Sequence, residues 1–495
     1  MQQALATKNT IIHIFGDDMI LKLINHNEEY AVREITASFF PKTKFEYSDN
    51  TEDGDYVASE YLLSENKHIY KASAKIGELY KEYEFSAKEY NKTHIKRCVA
   101  RVLEELTGIH LPWGVLTGIR PSKIIRELKL DGKTTDEAKK YLESFYETDS
   151  DKAALATEVA LNEEKHIENM DKKGISLYIG IPFCPTRCLY CSFTSQSIDF
   201  SNKLTVPYIE ALKKEIKAIG NNPFVNKRKI ETIYFGGGTP SALSANQIDE
   251  ILYELFNSFD LKYVKEITFE AGRPDTITKE KLEILKKYGI SRISINPQTT
   301  KDETLKLIGR KHTSEDFLKS FKLARQMGFN HINCDIIAGL PQEDAEDFEN
   351  TIKLLSKIKP ESITVHTMCI KHGSFLDMKY DMYSMTAANT VNKMLSITGE
   401  YMKKGDYIPY YMYRQKNMLG NLENIGYCKK GHECLYNIYI MEEVQSIIAL
   451  GAGGSTKLVS GDRIERVFNV KEVSEYIKRI DEMIERKEAI MKEFF

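Results

Sequence analysis

Short β-rich runs alternate with amphipathic stretches over residues 175–367, and this alternation is the clearest pattern in the chain. The amphipathic stretches place apolar residues at helical spacing, and the short runs are typical of buried strands. Strands that alternate with helices predict βαβ units and a parallel sheet. The six predicted strands are SLYIGI (176–181), TIYFG (232–236), EITFEA (266–271), RISINPQ (292–298), HINCDIIAG (331–339) and ESITVHT (361–367).

Six such units predict an α/β fold, a partial (β/α)6 barrel of the TIM type, with its chemistry at the C-terminal strand ends. Upstream, strands such as TIIHIF and MILKLI precede helices, which indicates a separate α+β domain. From about residue 386 the chain is predicted to be mostly helical. We therefore predict an N-terminal domain (1–170) without an assigned role, the partial barrel (171–385) and a C-terminal extension that covers the substrate (386–495).

Composition narrows the class of protein. Hydrophobic residues make up 42% and charged residues 28%, with a formal net charge of -3, which is the balance of an ordinary globular protein. This charge argues against a chain that wraps nucleic acid. The N-terminus lacks a basic segment followed by an apolar one, and no apolar run reaches the length of a membrane span. We expect a cytoplasmic protein with reduced thiols.

Three of the eight cysteines, Cys184, Cys188 and Cys191, follow the first predicted barrel strand as C-x3-C-x2-C. Three thiolates on one loop can bind three irons of a cubane cluster and leave the fourth iron open to a ligand. The alternatives are a zinc loop or three incidental cysteines. Structural zinc normally takes four ligands, often from two C-x2-4-C pairs, and no second pair stands nearby. The pattern therefore favours an iron–sulfur cluster.

Polar residues and glycines follow the later strands at the expected site. In GGGTPS (236–241), glycines let backbone N–H groups approach a ligand closely, although a tight turn before a capped helix is the alternative. Glu270 ends the third strand, where a carboxylate suits an ammonium partner; the alternative is a surface glutamate with a local partner. Gln298, Arg310 and Asp335 are candidates for binding hydroxyl, amine or carboxylate groups, Arg through its bidentate fork.

The CxxxCxxC motif after an LYIGIPFC strand resembles the radical S-adenosylmethionine (SAM) enzymes over roughly residues 175–460. The resemblance implies a [4Fe–4S] cluster whose open iron chelates the amino and carboxylate groups of SAM. Reduction then cleaves SAM to methionine and a 5′-deoxyadenosyl radical. The contacts that the resemblance implies are Tyr178, Tyr190, Gly237, Gly238, Thr239 and Glu270 for SAM, and Gln298, Arg310, Asp335 and Cys369 for a second SAM that some members bind.

Within that superfamily, the set GGGTPS, FEAGRPD, NPQTT, IGR and NCDIIAGLPQED is similar to the oxygen-independent coproporphyrinogen III dehydrogenases. LTGIRPSKI and PYYMYRQKNMLGNLENIGY resemble a long-chain branch of that family. The implied reaction turns two propionates of coproporphyrinogen III into vinyl groups, giving protoporphyrinogen IX in heme biosynthesis. It implies a tetrapyrrole substrate, a flavodoxin- or ferredoxin-like electron donor and an unidentified electron acceptor, and no nucleic-acid partner.

One departure keeps other functions open. Some of these dehydrogenases carry a further cysteine two residues after the third, and this chain has Phe193 there. The heme-chaperone branch also has an aromatic residue at that position. The alternatives are a heme-trafficking chaperone without decarboxylase activity and a heme-modifying radical SAM enzyme. For a porphyrinogen, Arg310 and Arg414 are predicted to bind propionates, and Tyr410, Tyr411 and Tyr413 to flank the macrocycle or to belong to the core.

Overall fold

The structure is a computed structural model, and it describes residues 18–41, 43–50, 54–118, 120–192, 195–370, 374–378, 387–415 and 418–495. The chain divides into two compact units. The first comprises Met1–Thr157 with Arg414–Leu422, and the second comprises Glu158–Tyr413 with Glu423–Phe495. The three functional regions drawn from the sequence stay a prediction.

Within the described residues, the first unit contains a five-stranded sheet and several helices. Its strands are β1 (Asp18–Ile24), β2 (Lys44–Tyr47), β3 (Tyr56–Ser64), β4 (Lys67–Ile76) and β5 (Leu79–Ala87). The order is β2-β1-β3-β4-β5, with β1 parallel to β2 and β3. Its helices are Glu29–Phe39, Lys92–Thr107, Pro121–Leu130 and Thr135–Phe145, and helix Ser150–Glu168 runs from this unit into the second.

The core of the first unit follows from helical spacing. In helix Lys92–Thr107, apolar positions recur every three or four residues, and the structure buries them against the sheet, as the spacing predicts. Asn91 begins this helix by accepting a hydrogen bond from the Thr93 backbone, and Gly108 ends it in the left-handed conformation. The strand MILKLI is confirmed as part of β1. The predicted strand TIIHIF lies outside the described residues.

The second unit contains an eleven-stranded sheet in the part of the chain that the structure describes. The strands are β6 (Ile175–Ile181), β9 (Ile230–Gly237), β10 (Glu266–Glu270), β11 (Arg292–Ser294), β12 (Ile332–Ala338), β13 (Ser362–Thr367), β14 (Tyr407–Tyr413), β15 (Asn424–Lys429), β16 (Ser446–Leu450), β17 (Ser455–Ser460) and β18 (Arg463–Phe468). Two short strands, β7 (Phe183–Cys184) and β8 (Gln196–Ser197), pair separately.

The sheet order is β14-β15-β13-β12-β11-β10-β9-β6-β16-β17-β18. Strands β16, β6 and β9 to β13 pair in parallel, so all six predicted barrel strands are confirmed and β16 adds a seventh parallel strand. Edge strands β14 and β18 have no mutual pairing among the described residues, so the sheet is open, as a partial barrel requires. The parallel strands bring their C-terminal ends to one rim.

Helices follow most of the parallel strands. Thr313 begins one of them with a capping box, in which its hydroxyl and the Asp316 carboxylate each accept a backbone N–H of the other residue. The helices of the second unit are Ile198–Gly220, Ala245–Ser258, Lys279–Lys287, Asp302–Leu307, Ser314–Gln326, Ala345–Ile358, Phe375–Met378, Ala388–Lys404, Leu435–Glu442, Val473–Lys478 and Ile480–Phe494, and short 3-10 helices are Pro240–Ala242, Pro274–Thr276 and, in the first unit, Leu419–Asn421.

The C-terminal region differs from its prediction. Instead of being mostly helical, residues 386–495 supply five described strands, β14 to β18, which extend both edges of the sheet. The reason lies in runs such as YIPYYMY and SIIAL, whose aromatic and β-branched residues suit a buried strand. Tyr410 and Tyr411 on β14 are buried in a hydrophobic cluster, which confirms that these two tyrosines belong to the core.

Candidate functional site

The cysteine loop begins at the C-terminal end of β6, on the rim where the sheet order predicts an active site. Cys184, Cys188 and Cys191 are all free thiols. The Cys191 N–H donates to the Cys188 carbonyl oxygen at 3.1 Å, and the Leu189 N–H donates to the Ile308 carbonyl oxygen at 3.0 Å. These bonds give the loop a defined path. Phe193 lies outside the described residues.

Two buried arginines lie against this loop. Arg273 donates from Nη1 to the Thr186 hydroxyl at 2.9 Å, and the same nitrogen is 4.0 Å from the sulfur of Cys188. Arg310 donates to the Asn296 carbonyl oxygen at 2.7 Å, and its guanidinium also contacts Cys188. Positive charge beside a thiol favours the thiolate, which is the form that binds metal. The loop is therefore suited to an anionic cluster.

The glycine-rich segment packs directly on the cysteine loop. The Gly238 N–H donates to the Ile181 carbonyl oxygen at 2.8 Å, and a Cβ at Gly238 would lie 2.6 Å from the Phe183 carbonyl oxygen. Glycine is required there because any side chain would collide with backbone. Thr239 donates its hydroxyl hydrogen to the sulfur of Cys184 at 3.4 Å. The sequence predicted that the glycines of GGGTPS let the backbone approach a ligand closely. In the structure, the close approach of this backbone is to the cysteine loop.

Glu270 ends β10 beside a group of tyrosines. The Tyr234 hydroxyl donates to Glu270 Oε1 at 2.6 Å. Tyr178 stacks on Tyr234, with ring centroids 6.3 Å apart, and Tyr436 stacks on Tyr234 at 4.6 Å. Burial raises the pKa of the Glu270 carboxyl to about 7, assisted by the negative charge of Asp335. A cation or N–H donor that binds beside this carboxyl would give it a second partner and would stabilise its ionised form.

Gln298, which follows β11, lies beside Asp335 on β12. The Gln298 N–H donates to the Asp335 carbonyl oxygen at 3.0 Å, and Gln298 adopts the left-handed conformation with φ of 67°. Asp335 Oδ1 accepts from the Asn333 amide at 2.7 Å. The pKa of Asp335 is lowered, because hydrogen bonds from His366 and Asn333, together with the positive charges of His366 and Arg292, outweigh its burial. Asp335 is therefore an ionised acceptor at neutral pH.

The other predicted contacts also lie in the second unit. Tyr190 lies in the cysteine loop, and its hydroxyl faces the Arg310 guanidinium. Burial and the neighbouring Cys188 raise the pKa of Tyr190. Cys369 follows β13 and lies close enough to Tyr413 for their charges to interact. The structure places the whole predicted set in the second unit, on its parallel strands or in the connections that follow them: Tyr178, Cys184, Cys188, Tyr190, Cys191, Gly237, Gly238, Thr239, Glu270, Gln298, Arg310, Asp335 and Cys369.

The three thiols of the loop suit a cubane cluster. In the part of the chain that the structure describes, no group of three or more His, Cys, Asp and Glu side chains is arranged to hold one metal ion. A cubane makes a different demand, because each thiolate binds its own iron. One loop that carries three free thiols, beside a hydroxyl donor and two arginines, suits that demand.

A polar ligand also fits the strand ends. Gln298 is 7% exposed, and its Oε1 has no hydrogen-bond partner among the described residues. A buried acceptor without a partner costs free energy unless a ligand supplies a donor. Glu270 has accepted one hydroxyl and can accept another donor. Hydroxyl and amino groups, such as those of SAM, match these acceptors.

Sequence reasoning missed some contributors. Arg273 was inside a quoted motif, FEAGRPD, but only Glu270 was drawn from it. Its position beside Cys188 depends on how the β10 loop folds back, which spacing does not reveal. Tyr234 and Tyr436 were also missed, since isolated tyrosines carry no motif. Tyr178 on β6 lies opposite Tyr234 on β9, a register that is set only when the two strands pair.

Arg414 has a different environment from the predicted one. Its guanidinium donates to the carbonyl oxygens of Leu116 and of Asn421, the latter at 2.7 Å, and lies 5.2 Å from the Trp113 ring centroid. The side chain is buried, and these partners all belong to the first unit. Backbone carbonyls thus occupy the guanidinium that was predicted to bind a propionate, and the structure does not support that role.

Comparison with known proteins agrees with this site. A model of the radical SAM superfamily matches residues 178–355. The oxygen-independent coproporphyrinogen-III oxidase-like protein HemZ of Bacillus subtilis (strain 168) is 37% identical over 94% of this chain and 95% of its own length. The heme chaperone HemW of Lactococcus lactis subsp. lactis (strain IL1403) is 29% identical over 66% of this chain and 82% of its own length.

Among solved structures, coproporphyrinogen III oxidase (HemN) from Escherichia coli, a radical SAM enzyme, has a similar fold, with a TM-score of 0.53 and 22% identity over 66% of this chain and 73% of that one. The open parallel sheet and the cysteine loop at its rim define a radical SAM protein, which uses a [4Fe–4S] cluster and SAM. The chain belongs to the family of oxygen-independent coproporphyrinogen III oxidase-like proteins. No described helix is long and apolar enough to cross a membrane.

Proposed function

We propose that this chain catalyses oxygen-independent oxidative decarboxylation of two propionates of coproporphyrinogen III, giving the vinyl groups of protoporphyrinogen IX. The observation that carries the proposal is the 37% identity to a coproporphyrinogen-III oxidase-like protein over 94% of the chain, which includes both structural units. The polar strand-end site of the second unit supports it. The proposal includes a cytoplasmic location, an electron donor of the flavodoxin or ferredoxin type and a separate electron acceptor.

The cysteine loop is the proposed cluster site. Cys184, Cys188 and Cys191 each bind one iron as thiolates, and the fourth iron is left for SAM. Thr239 stabilises the Cys184 thiolate through its hydroxyl, at 3.4 Å. Arg273 stabilises the Cys188 thiolate by its charge, at 4.0 Å. These contacts lower the energy of negative charge on the loop.

The strand ends are the proposed SAM site. Glu270 accepts a hydrogen bond from the amino group of SAM while Tyr234 holds the other side of the carboxylate. The unpartnered Gln298 oxygen accepts a hydroxyl. The remaining proposed contacts to one or two SAM molecules are Tyr178, Tyr190, Gly237, Gly238, Thr239, Arg310, Asp335 and Cys369.

The residues of the protein position the substrate and shield the radical chemistry. When bound, the cluster and SAM supply the one-electron chemistry that removes a hydrogen atom from an unactivated C–H bond. The propionate loses that hydrogen atom, CO2 and one electron, and a vinyl group remains. Direct loss of CO2 would leave a primary carbanion, whereas a radical beside the pyrrole is stabilised by the ring. Tyr178, Tyr234 and Tyr436 form an aromatic wall that keeps water from this interior.

A heme chaperone is the second candidate, because a heme chaperone matches 66% of the chain at 29% identity and Phe193 stands in place of a further cysteine. A heme-modifying radical SAM enzyme is the third. Neither of these alternatives explains the match along 94% of the chain as directly as the dehydrogenase does.

The deciding experiment is anaerobic incubation of the reconstituted protein with SAM, a reductant and coproporphyrinogen III. Products that have lost one and two CO2 are expected, together with 5′-deoxyadenosine. The matched control is Cys188→Ala, which removes one cluster ligand and should give neither product. Unchanged coproporphyrinogen together with tight, stoichiometric heme binding would replace the proposal by the chaperone function.

A further inference from the structure

An arginine and an aspartate in the loop after β10 form a bidentate ion pair beside the cysteine loop. Arg273 donates from Nε to Asp275 Oδ1 at 3.0 Å and from Nη2 to Asp275 Oδ2 at 3.0 Å. Two parallel hydrogen bonds to one carboxylate fix the plane and the direction of a guanidinium. The third corner of this guanidinium, Nη1, therefore has a defined direction.

The backbone around the carboxylate is itself anchored. Asp275 lies in a short 3-10 helix, in which the Thr276 N–H donates to the Arg273 carbonyl oxygen at 3.0 Å. From outside this turn, the Ser320 hydroxyl donates to the Pro274 carbonyl oxygen at 3.1 Å. These bonds give Asp275 a fixed place from which it can hold Arg273.

The Nη1 corner of Arg273 faces the cysteine loop. It lies 2.9 Å from the Thr186 hydroxyl oxygen, 3.5 Å from the Thr186 carbonyl oxygen and 4.0 Å from the Cys188 sulfur. The Thr186 hydroxyl donates its own hydrogen to the Gly309 carbonyl oxygen at 2.8 Å, so it accepts from Arg273. These directions are determined by the chemistry of the groups, because a guanidinium only donates and a backbone carbonyl only accepts.

The charges of the pair are defined as well, since arginine stays protonated in proteins. Burial alone would raise the pKa of Asp275, but hydrogen bonds and charge from Arg273 outweigh it and lower that pKa. His312 Nδ1 is 3.9 Å from Asp275 Oδ1, and burial with the Arg310 charge lowers the His312 pKa to about 4. At neutral pH the aspartate is therefore an anion and the histidine beside it is neutral.

We propose that Asp275 is a positioning residue for the iron–sulfur cluster: its carboxylate directs Arg273 Nη1 at the cysteine loop, and this orientation raises the reduction potential of the bound cluster. Positive charge and N–H donors beside cluster sulfur stabilise the more negative, reduced cluster. The inference rests on the proposed cluster site at Cys184, Cys188 and Cys191, and it adds a residue that does not touch the cysteines.

The test is an anaerobic redox titration of the iron-loaded protein without SAM, followed by electron paramagnetic resonance. Asp275→Asn keeps the size of the side chain, removes its charge and turns one acceptor of the ion pair into a donor. Arg273 then loses its support, and the ratio of reduced to oxidised cluster at a given potential should fall about threefold, a shift of about 30 mV for a one-electron couple. Iron content reports that the variant has folded and loaded.

The sign of the shift separates positioning from direct electrostatics. If the carboxylate acted on the cluster by its own negative charge, Asp275→Asn would raise the potential. Arg273→Leu removes the group that Asp275 positions, so adding Asp275→Asn to Arg273→Leu should lower the potential no further. Glu361→Gln, which breaks another arginine–carboxylate pair, with Arg325, is the matched control and should keep the potential of the unmodified protein.

If Asp275→Asn takes up no iron, Asp275→Glu is titrated in its place. This variant keeps the charge and moves the carboxylate by one methylene, so positioning predicts a lower potential and charge alone predicts none. An unchanged or raised potential in the variant titrated would overturn the inference and leave the proposed cluster site standing. If Cys188→Ala keeps its full iron content, the proposed cluster site falls, and the inference falls with it.

Discussion

Two buried carboxylates in the second unit, Glu215 and Glu270, have opposite surroundings. Glu215 accepts hydrogen bonds from the Gly451 N–H at 2.7 Å, the Tyr476 hydroxyl at 2.6 Å and the Asn469 amide at 2.9 Å. It also pairs with Lys487, and neither side chain of that ion pair has any exposed surface. Each carboxylate oxygen therefore has protein partners. This network joins helix Ile198–Gly220 to the C-terminal helix and to the turn after β16.

Glu270 has fewer hydrogen-bond partners than Glu215. The Tyr234 hydroxyl is the hydrogen-bond donor that the structure shows for it, and burial raises its pKa to about 7. Nearby Gln298 has a buried oxygen without a partner among the described residues. Buried polar groups are normally satisfied within the protein. The difference teaches that the partners of Glu215 all lie within the protein, whereas Glu270 keeps room for a further partner, which the proposed function assigns to SAM.

The largest effect is expected at the cysteine loop, which has no spare ligand. Cys188→Ala should remove the iron–sulfur absorbance and SAM cleavage together, because only two thiolates remain on the loop. Iron and sulfide analysis of the reconstituted protein measures this. Cys428→Ala, at a buried thiol of the core cluster, is the control and should keep full iron content. Normal iron content in Cys188→Ala would show that the cluster is bound elsewhere.

Substitution within the Glu215 network should change the free energy of unfolding. Lys487→Met leaves Glu215 buried without its cation, which should lower the free energy of unfolding by about 3–5 kcal/mol. Denaturant unfolding under anaerobic conditions measures the change. The exposed Lys492 in the same helix supplies the control, since Lys492→Met should stay within about 0.5 kcal/mol. Equal stabilities of the two variants would break the comparison.

Substitution of Glu270 should raise the free energy of unfolding, whereas substitution of Lys487 should lower it. The Glu270 carboxyl has a folded pKa of about 7 against an ordinary value of 4.5, so the folded chain holds a proton that the unfolded chain releases. Stability therefore falls as pH rises from about 4.5 to about 7. At pH about 8, Glu270→Gln should stabilise the SAM-free protein by up to about 3 kcal/mol, and it should flatten this pH dependence.

The same unfolding measurement at several pH values checks this prediction. Glu270→Gln less stable than the unmodified protein at pH about 8 would mean that the carboxylate is satisfied within the chain, as Glu215 is.

The smallest effect is expected from Arg273. Its charge lies 4.0 Å from the Cys188 sulfur, although pairing with Asp275 offsets part of it. Arg273→Leu should lower the midpoint reduction potential of the cluster by several tens of millivolts, because positive charge favours the reduced cluster. A redox titration followed by electron paramagnetic resonance measures the shift. Arg325→Leu is the control: its partner is Glu361, and the substitution should leave the reduction potential unchanged. An equal shift in Arg325→Leu would show that the position of the Arg273 charge beside Cys188 is not the cause.

Much of the fold could be predicted because local pattern decides it. Short β-rich runs separated by stretches of helical spacing identified the six parallel strands. The cysteine loop could be predicted because its three ligands are close in sequence. The place of the C-terminal strands in the sheet could not, since it depends on β15 pairing with β13 and β16 pairing with β6, which lie far apart in the chain.

The site was predictable only where a motif carried it. Glu270 ends β10 and was found by its position, and Asp335 was found through its motif although it lies within β12. Tyr234 and Arg273 depend on side-chain packing between separate loops, which no spacing encodes. Arg414 was misjudged because an arginine among tyrosines suggested a ligand, whereas the carbonyl oxygens that it bonds belong to distant residues.

The central claim is that the incompletely satisfied strand ends bind SAM, and titrating SAM into the reduced, cluster-loaded protein tests it most directly. Electron paramagnetic resonance follows the change of the cluster signal. The account predicts a saturable change in the unmodified protein, and a need for at least about tenfold more SAM in Glu270→Gln, because one charge-assisted hydrogen bond is lost. A Glu270→Gln titration that overlays the unmodified one would contradict the account.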